Sequence, residues 1–239
     1  MIVHGPYPIG EPRVAREVAA AVAAGWDVDV IALRRRAERA EDVAPAGERV
    51  HRLPLEHRRG GGALGVTREY VSFCMLAALT LLRLSRGAPF RVVQVHNPPD
   101  FLMFAALPCR WLFGSTVVFD VHDLAPDMFE MRFGERGWSS MVDRVLRAVE
   151  RLALRRADEV LTVHEPYASE LRRRGADPER LTVVMNSVDP TLLPEPGAVA
   201  ERNGAFRVVY HGTVTPSYGV DLLVEAAALA LAEIPELTV

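Results

Sequence analysis

The chain contains no lysine: all 28 of its basic residues are arginine. That excludes Schiff-base catalysis through an ε-amine and the phosphate-binding lysine of a P-loop. Cysteine is scarce. Cys74 and Cys109 stand alone in apolar runs without CxxC spacing, and read as buried small hydrophobes in a reducing cytoplasm. No apolar run reaches the ~20 residues that span a bilayer, since residues 71–82 give only about 12 before Arg83 and Arg86 intervene. These predict a buried core helix, with a helix edge resting on an anionic membrane surface as the alternative. Met1 leads straight into a strand ending, without the basic region and apolar stretch of a signal peptide. There is no excess of positive charge either, because the net charge of −3 gives no general pull toward nucleic acid. Gly60-Gly61-Gly62-Ala63-Leu64-Gly65 matches G-x-G-x-x-G. No strand feeds directly into it, and no acid follows about 20 residues later to hold a ribose, so a dinucleotide site is rejected in favour of a hinge.

What the chain does have is a recurring design. Residues 92–95 form a short β-branched run that stops on His96, after which Pro98, Pro99 and Asp100 open an apolar helical run to Phe113. In the same way Ile2-Val3 runs into His4, 117–121 into His122, 160–163 into His164, and 208–210 into His211. Five of the seven histidines are thus expected just past a strand's carboxyl end, the edge where an open parallel α/β sheet binds ligands. One such histidine is ordinarily a satisfied loop residue; five at equivalent places point to a site.

Around these strands the pattern is α/β, a Rossmann-like doubly wound parallel sheet. The stub at Met1 to His4 is shorter than the ~5 residues of a central parallel strand, so either a start upstream or an irregular beginning to the sheet is expected. A helix carrying Val14, Val18 and Val22 ends at Gly25, strands follow at 28–33 and 49–53, and a charged loop at 34–48 separates them. His51 is read as a sheet-face side chain. A helix spans 66–84. Trp138, Met141, Val142, Val145, Leu146, Val149 and Leu152 hold a 3.6-residue period, with Arg144, Arg147, Glu150, Arg151 and Arg155 taken as solvated charge. A helix from Glu165-Pro166 stops at Gly175, and a strand at 181–185 runs into Asn186. The expected organisation is a first domain over 1–189, a proline-bearing linker over 190–204, and one β-α unit over 205–239. That last unit cannot bury both faces of a sheet, so a truncated second Rossmann-like domain is expected, continuing for roughly 100–150 residues beyond Val239.

These segments, in order, resemble the family 4 glycosyltransferases of GT-B architecture, in which two Rossmann-like domains face across a cleft. The resemblance rests on Gly5-Pro6-Tyr7-Pro8 with Arg13 to Glu17, Val95-His96-Asn97-Pro98-Pro99-Asp100, Phe119-Asp120-Val121-His122-Asp123, Thr162-Val163-His164-Glu165, Val184-Met185-Asn186-Ser187-Val188-Asp189, and Tyr210-His211-Gly212-Thr213. Each motif is weak, but their order and spacing together are specific. The resemblance implies transfer of a sugar from a nucleotide-sugar donor to a saccharide or lipid-linked acceptor, with retention. The nucleotide-sugar enters as substrate, and no cofactor, metal or nucleic acid is implied. Polysaccharide biosynthesis in the cytoplasm, with possible peripheral contact at the inner membrane face, is the setting it suggests. His96 matches a histidine near the reacting centre. His4, Tyr7, Asn97, His122, Asp123 and His164 fall on the acceptor side or in the cleft, His122 and Asp123 facing acceptor or donor, and Asp123 with capping a turn as the alternative. Gly10, Asn186, Gly212, Thr213 and Ser217 fall on the donor side. Gly10 belongs to a loop that offers backbone N–H groups to the diphosphate.

Two departures from the family pattern matter. Members commonly place a cation in the loop corresponding to 212–219, where this chain has Thr213 and Tyr218, and Ser217 cannot compensate. Glu225 and Glu233 mimic the spacing of a family glutamate pair but lie on the first helix after the linker, about 80° apart on its circumference; they are read as surface charges. The alternative to a glycosyltransferase fragment is a non-catalytic acceptor-binding or interaction module completed by a separate subunit. A GT-B sugar epimerase is the third reading.

Overall fold

Short β-branched runs gather into one sheet in the computed structural model, which describes residues 1–35, 38–44, 46–55, 62–133, 140–188, 206–215 and 218–238. The chain divides into two units, Met1–Val188 and Asp189–Val239. The first contains β1 (Ile2–Pro6), α1 (Pro12–Ala23), β2 (Asp29–Leu33), β3 (Glu41–Val43), β4 (Arg49–Leu53), α2 (Ala63–Gly87) and β5 (Val92–His96). A 3₁₀ turn (Asp100–Ala105) leads to α3 (Leu107–Phe113), β6 (Thr116–Val121), α4 (Ala125–Phe133), α5 (Ser140–Arg156), β7 (Glu159–Thr162), α6 (Glu165–Arg174) and β8 (Leu181–Val183). The strands lie in the order β3-β4-β2-β1-β5-β6-β7-β8. Only β3 runs antiparallel, on the edge beside β4. In the second unit β9 (Phe206–Arg207) pairs in parallel with β10 (Leu237–Thr238), with α7 (Val220–Ala230) between them in sequence.

The side chains of a strand alternate between faces, so the sheet is packed from both sides. One core joins Ile2, Val95 and Phe119 to Phe73 and Ala77 of α2, Cys109 of α3, and Leu171 of α6. The other joins Val3, Val30 and Val50 to Val14 and Val18 of α1. Cys109 is buried and Cys74 half-buried, both as free thiols.

Several expectations are corrected. β1 continues to Pro6, so His4 lies inside the strand rather than past its end. The charged stretch before β4 contains β3. The helical run after Asp100 breaks in two because Pro108, lacking an N–H, can enter only the first turn of α3. In α5 the periodic apolar set is not buried as a stripe: Met141, Val145 and Leu152 are exposed, whereas Glu150 is buried against Arg174 of α6 at 3.0 Å. Trp138 and most of the Gly60–Gly65 motif's neighbours upstream, along with the 190–204 linker, lie outside the described residues. α2 is a core helix on one side only. It buries Phe73, Ala77, Leu81 and Ser85, and exposes Leu64, Val71, Met75 and Leu79.

Candidate active site

In β5 and β6 the residues that alternate with the buried Val95, Phe119 and Val121 are Gln94, His96 and Asp120. Register pairs His96 with Val3 on one side and Asp120 on the other, at the carboxyl edge of the sheet. The first turn of α1 lays Arg13 over them. Its Nε donates to Asp120 Oδ2 at 3.0 Å and its Nη2 to Oδ1 at 2.9 Å, a bidentate pair. Nη1 continues to the Val184 carbonyl at 2.5 Å and to Asn186 Oδ1 at 3.3 Å, tying the segment after β8 to α1. Glu17, one turn on, meets Arg13 Nε at 3.1 Å and accepts from Gln94 Nε2 at 2.6 Å.

Two imidazoles complete the cluster. His96 Nδ1 and His122 Nε2 each lie 3.2 Å from Asp120 Oδ2 and 3.1 Å from one another. A carboxylate can only accept, so both rings turn an N–H toward it, which fixes their tautomers. His96 then carries its Nε2 lone pair into a buried setting with no hydrogen-bond partner. Burial pushes His96 down to about 4, despite the pull of Asp120, and keeps it neutral. Burial would raise Asp120, but hydrogen bonds from His122, His96 and Arg13 outweigh it and hold the carboxyl well below the usual range. Burial and the Asp120 charge lift Glu17 to about 7.

Asn97 clamps the loop that presents His122. Its Oδ1 accepts from the N–H of His122 at 2.7 Å and of Asp123 at 3.3 Å, while its Nδ2 donates to the Asp123 carbonyl and to Asp100 Oδ1, both at 2.7 Å. Burial raises Asp100 to about 7.

The structure therefore sorts the expected site residues. His96, Asn97, His122, Asp123 and Asn186 belong to one assembly. His96, however, is fully buried, so the ring of this cluster with surface to offer a ligand is His122, whose side chain is 15% exposed. His4 is on the other face of the sheet, 3.2 Å from Glu69 and edge-on to Tyr70 and Phe73 of α2. Tyr7 is a core residue beneath α1, its hydroxyl on the buried Glu48 carboxylate. His164 caps α6, its Nδ1 accepting from the Tyr167 N–H at 3.2 Å. Gly10 is exposed but commits its N–H to the Pro6 carbonyl at 2.8 Å, and Glu11 commits its own to Pro8 at 3.1 Å, so neither is left for an anion. A side chain at Gly10 would meet that same Pro6 carbonyl at 2.7 Å, which is why the turn needs glycine. Gly212 and Thr213 are exposed in the second unit, where the Thr213 carbonyl accepts from Tyr210; Ser217 lies outside the described residues. Glu225 and Glu233 are both exposed.

Sequence reasoning missed Arg13, Asp120 and Glu11 as site residues. Arg13 had a legible signal: a lone cation opening a helix otherwise built from valine and alanine on its inner face. Glu11 is drawn in over Gly5, where an added side chain would fall 1.9 Å from its carboxylate. Its pKa is raised by burial and responds to the charges of His122 and Asp123, placing it in the same electrostatic neighbourhood.

His96 Nδ1, His122 Nε2 and Asp120 Oδ2 also lie close enough together to face a single metal ion. Their separations suit tetrahedral bonds of about 2 Å. Arg13 nevertheless neutralises both oxygens of Asp120, so this donor set is charge-balanced as it stands.

A nearly all-parallel sheet with helices on both faces and a polar cluster at its carboxyl edge is a Rossmann-like lobe. Residues 10–187 match the model of the glycosyl transferase 4-like domain, and the chain belongs to that family. No curated protein sequence matches it. Among solved structures, sucrose-phosphate synthase from Thermosynechococcus elongatus superposes with a TM-score of 0.66 at 19% identity, covering 94% of this chain and 54% of that one. A shorter chain of the same enzyme gives a TM-score of 0.53 at 16% identity, covering 79% and 88%. This chain thus spans about half the length of the longer synthase chain.

Proposed function

We propose that the first unit is the acceptor-side lobe of a retaining glycosyltransferase, which moves a sugar from a nucleotide-sugar to a saccharide or lipid-linked acceptor without cofactor or metal. The observation that carries this reading is the Asp120–His122 pair, held from behind by Arg13 and His96. With Nε2 turned to Asp120, His122 keeps Nδ1 as the ring nitrogen that can accept from a sugar hydroxyl. Asp120 stabilises the imidazolium if a proton arrives there. His96 acts as a positioning residue. Retention rests on the family resemblance, as do a cytoplasmic setting and a role in polysaccharide assembly. After residue 205 the chain offers one β-α-β unit, whose loop has no arginine at its described positions 210–215 and 218–219. We therefore expect the 239-residue chain to bind acceptor and turn over donor feebly or not at all. The same observation favours the second reading, a non-catalytic acceptor-binding module.

Imidazole proton–carbon spectra of the labelled chain, titrated with a panel of saccharides and nucleotide-sugars, test both. The His122 resonances should move while those of His4, on the opposite face, stay still. Movement at His4 with none at His122 would refute the assignment. Nucleoside-diphosphate release by the isolated chain separates the readings: any turnover that His122→Ala abolishes rules out the module.

A further inference from the structure

We propose, resting on the acceptor-side reading, that the acceptor unit is an uncharged pyranose whose ring lies against Tyr167, with its hydroxyls on His122 and Asp123. The sheet brings these groups together. β6 and β7 pair Val121 with Thr162, and the Thr162 hydroxyl donates to the Val121 carbonyl at 3.0 Å. Two residues further on, Asp123 and His164 therefore leave the sheet side by side. His164 then opens α6, and Tyr167 stands in the first turn of that helix.

Tyr167 is held as a platform. Its N–H donates to His164 Nδ1 at 3.2 Å, and its ring packs on the His164 imidazole with centroids 4.1 Å apart. The side chain is half-buried rather than enclosed. Burial raises the phenol, and so do the charges of Asp123 and Asp127, which sets the ring beside both carboxylates. A pyranose has an apolar C–H face and a polar rim. A fixed aromatic ring covers the face at little cost in side-chain freedom, while His122 and Asp123 accept from the rim. Asn97 holds the backbone N–H and carbonyl of Asp123, and among the described residues the Asp123 carboxylate has no hydrogen-bond or ion-pair partner.

The charges exclude an acidic sugar. Glu11 joins Asp123 at this edge, its carboxyl responding to both His122 and Asp123. Two guanidinium groups of the neighbourhood are spent: Arg13 on Asp120, the Val184 carbonyl and Asn186, and Arg174 on Asp127, Glu150 and Glu170. A uronate or a sugar phosphate would set its own negative charge against these carboxylates.

The test is to titrate the labelled 239-residue chain with methyl glucoside, galactoside and mannoside, following the imidazole and aromatic proton–carbon spectra. At least one neutral glycoside should move the rings of His122 and Tyr167 together and leave that of the core residue Tyr7 still. The uronate and 6-phosphate forms of that sugar should bind at least about tenfold more weakly, and Asp123→Asn should close much of the gap. Tyr167→Phe keeps the ring and should bind within about twofold of wild type, whereas Tyr167→Ala should lose at least about tenfold. His164→Asn keeps an acceptor for the α6 cap but removes the ring behind Tyr167, and should weaken binding about threefold at an unchanged melting temperature. Thermal melts check that each variant folds, and Tyr167→Leu serves if the alanine variant does not. Sugars that move His122 but not Tyr167, equal binding by the Phe and Ala variants, or anionic sugars bound as tightly as neutral ones overturn the proposal and leave the acceptor-side reading standing. A chain whose His122 responds to no sugar overturns both.

Discussion

Asp100 has a carboxyl enclosed on all sides, with Asn97 Nδ2 as its hydrogen-bond donor. Burial lifts it from 3.8 to about 7. A folded-state value above the unfolded one means that the native protein holds the extra proton between those two pH values. Stability from this group is therefore complete below about pH 4 and is lost as pH rises through 7. Asp100→Asn keeps an acceptor for Asn97 and removes the titration. Wild type should lose roughly 2–4 kcal/mol relative to D100N between pH 4 and pH 8, read from urea midpoints at the two pH values. A parallel pH dependence in both proteins would show that Asp100 ionises freely. His96 tilts the other way, since its value of about 4 costs stability as pH falls from its ordinary 6.5. At this scale the sequence was half legible. His96, Asn97, His122 and Asp123 were found because each follows a β-branched run. Their ranking was not, because which of two neighbouring rings is buried depends on where Arg13 arrives from a helix more than 80 residues earlier.

Elements were legible where apolar residues recur at helical spacing or gather in short β-branched runs. α1 follows from its valine periodicity, and the parallel strands β2, β5, β6 and β7 from such runs, β2 being buried along its whole length. α5 defeats that logic because its interior contacts include charge. Arg174 of α6 reaches Glu150 of α5 at 3.0 Å and Asp127 of α4 at 2.6 Å, so three helices meet on one guanidinium. Among the described residues the neighbouring Arg173 pairs with Glu170 on its own helix, in the open. Sequence gives these two arginines the same weight, but their side chains are 11% and 73% exposed. Arg174→Met strands the buried Glu150 carboxylate and should cost about 3 kcal/mol, whereas Arg173→Ala, which removes only a solvent-screened pair, should unfold like wild type. Equal losses in denaturant unfolding would mean that the three-helix contact contributes nothing beyond its surface pairs.

For the whole molecule, the disposition of the buried side chains decides what can stand alone. Both cores of the sheet are assembled from residues of the first unit, with Leu181 and Val183 of β8 among their last contributors. In the second unit α7 has no buried residue. The segment 184–186 is still part of the first unit, because Arg13 holds the Val184 carbonyl and Asn186. A chain ending at Val188 should therefore keep its sheet, its melting temperature and the His122 response to saccharide. One ending at Val183 keeps every strand but removes two acceptors from a buried guanidinium, and should melt several degrees lower, as expected for a loss of about 1–3 kcal/mol. Circular dichroism melts of the two truncations make the comparison. If 1–188 fails to fold while the full chain does, the first unit cannot be treated as a separate body.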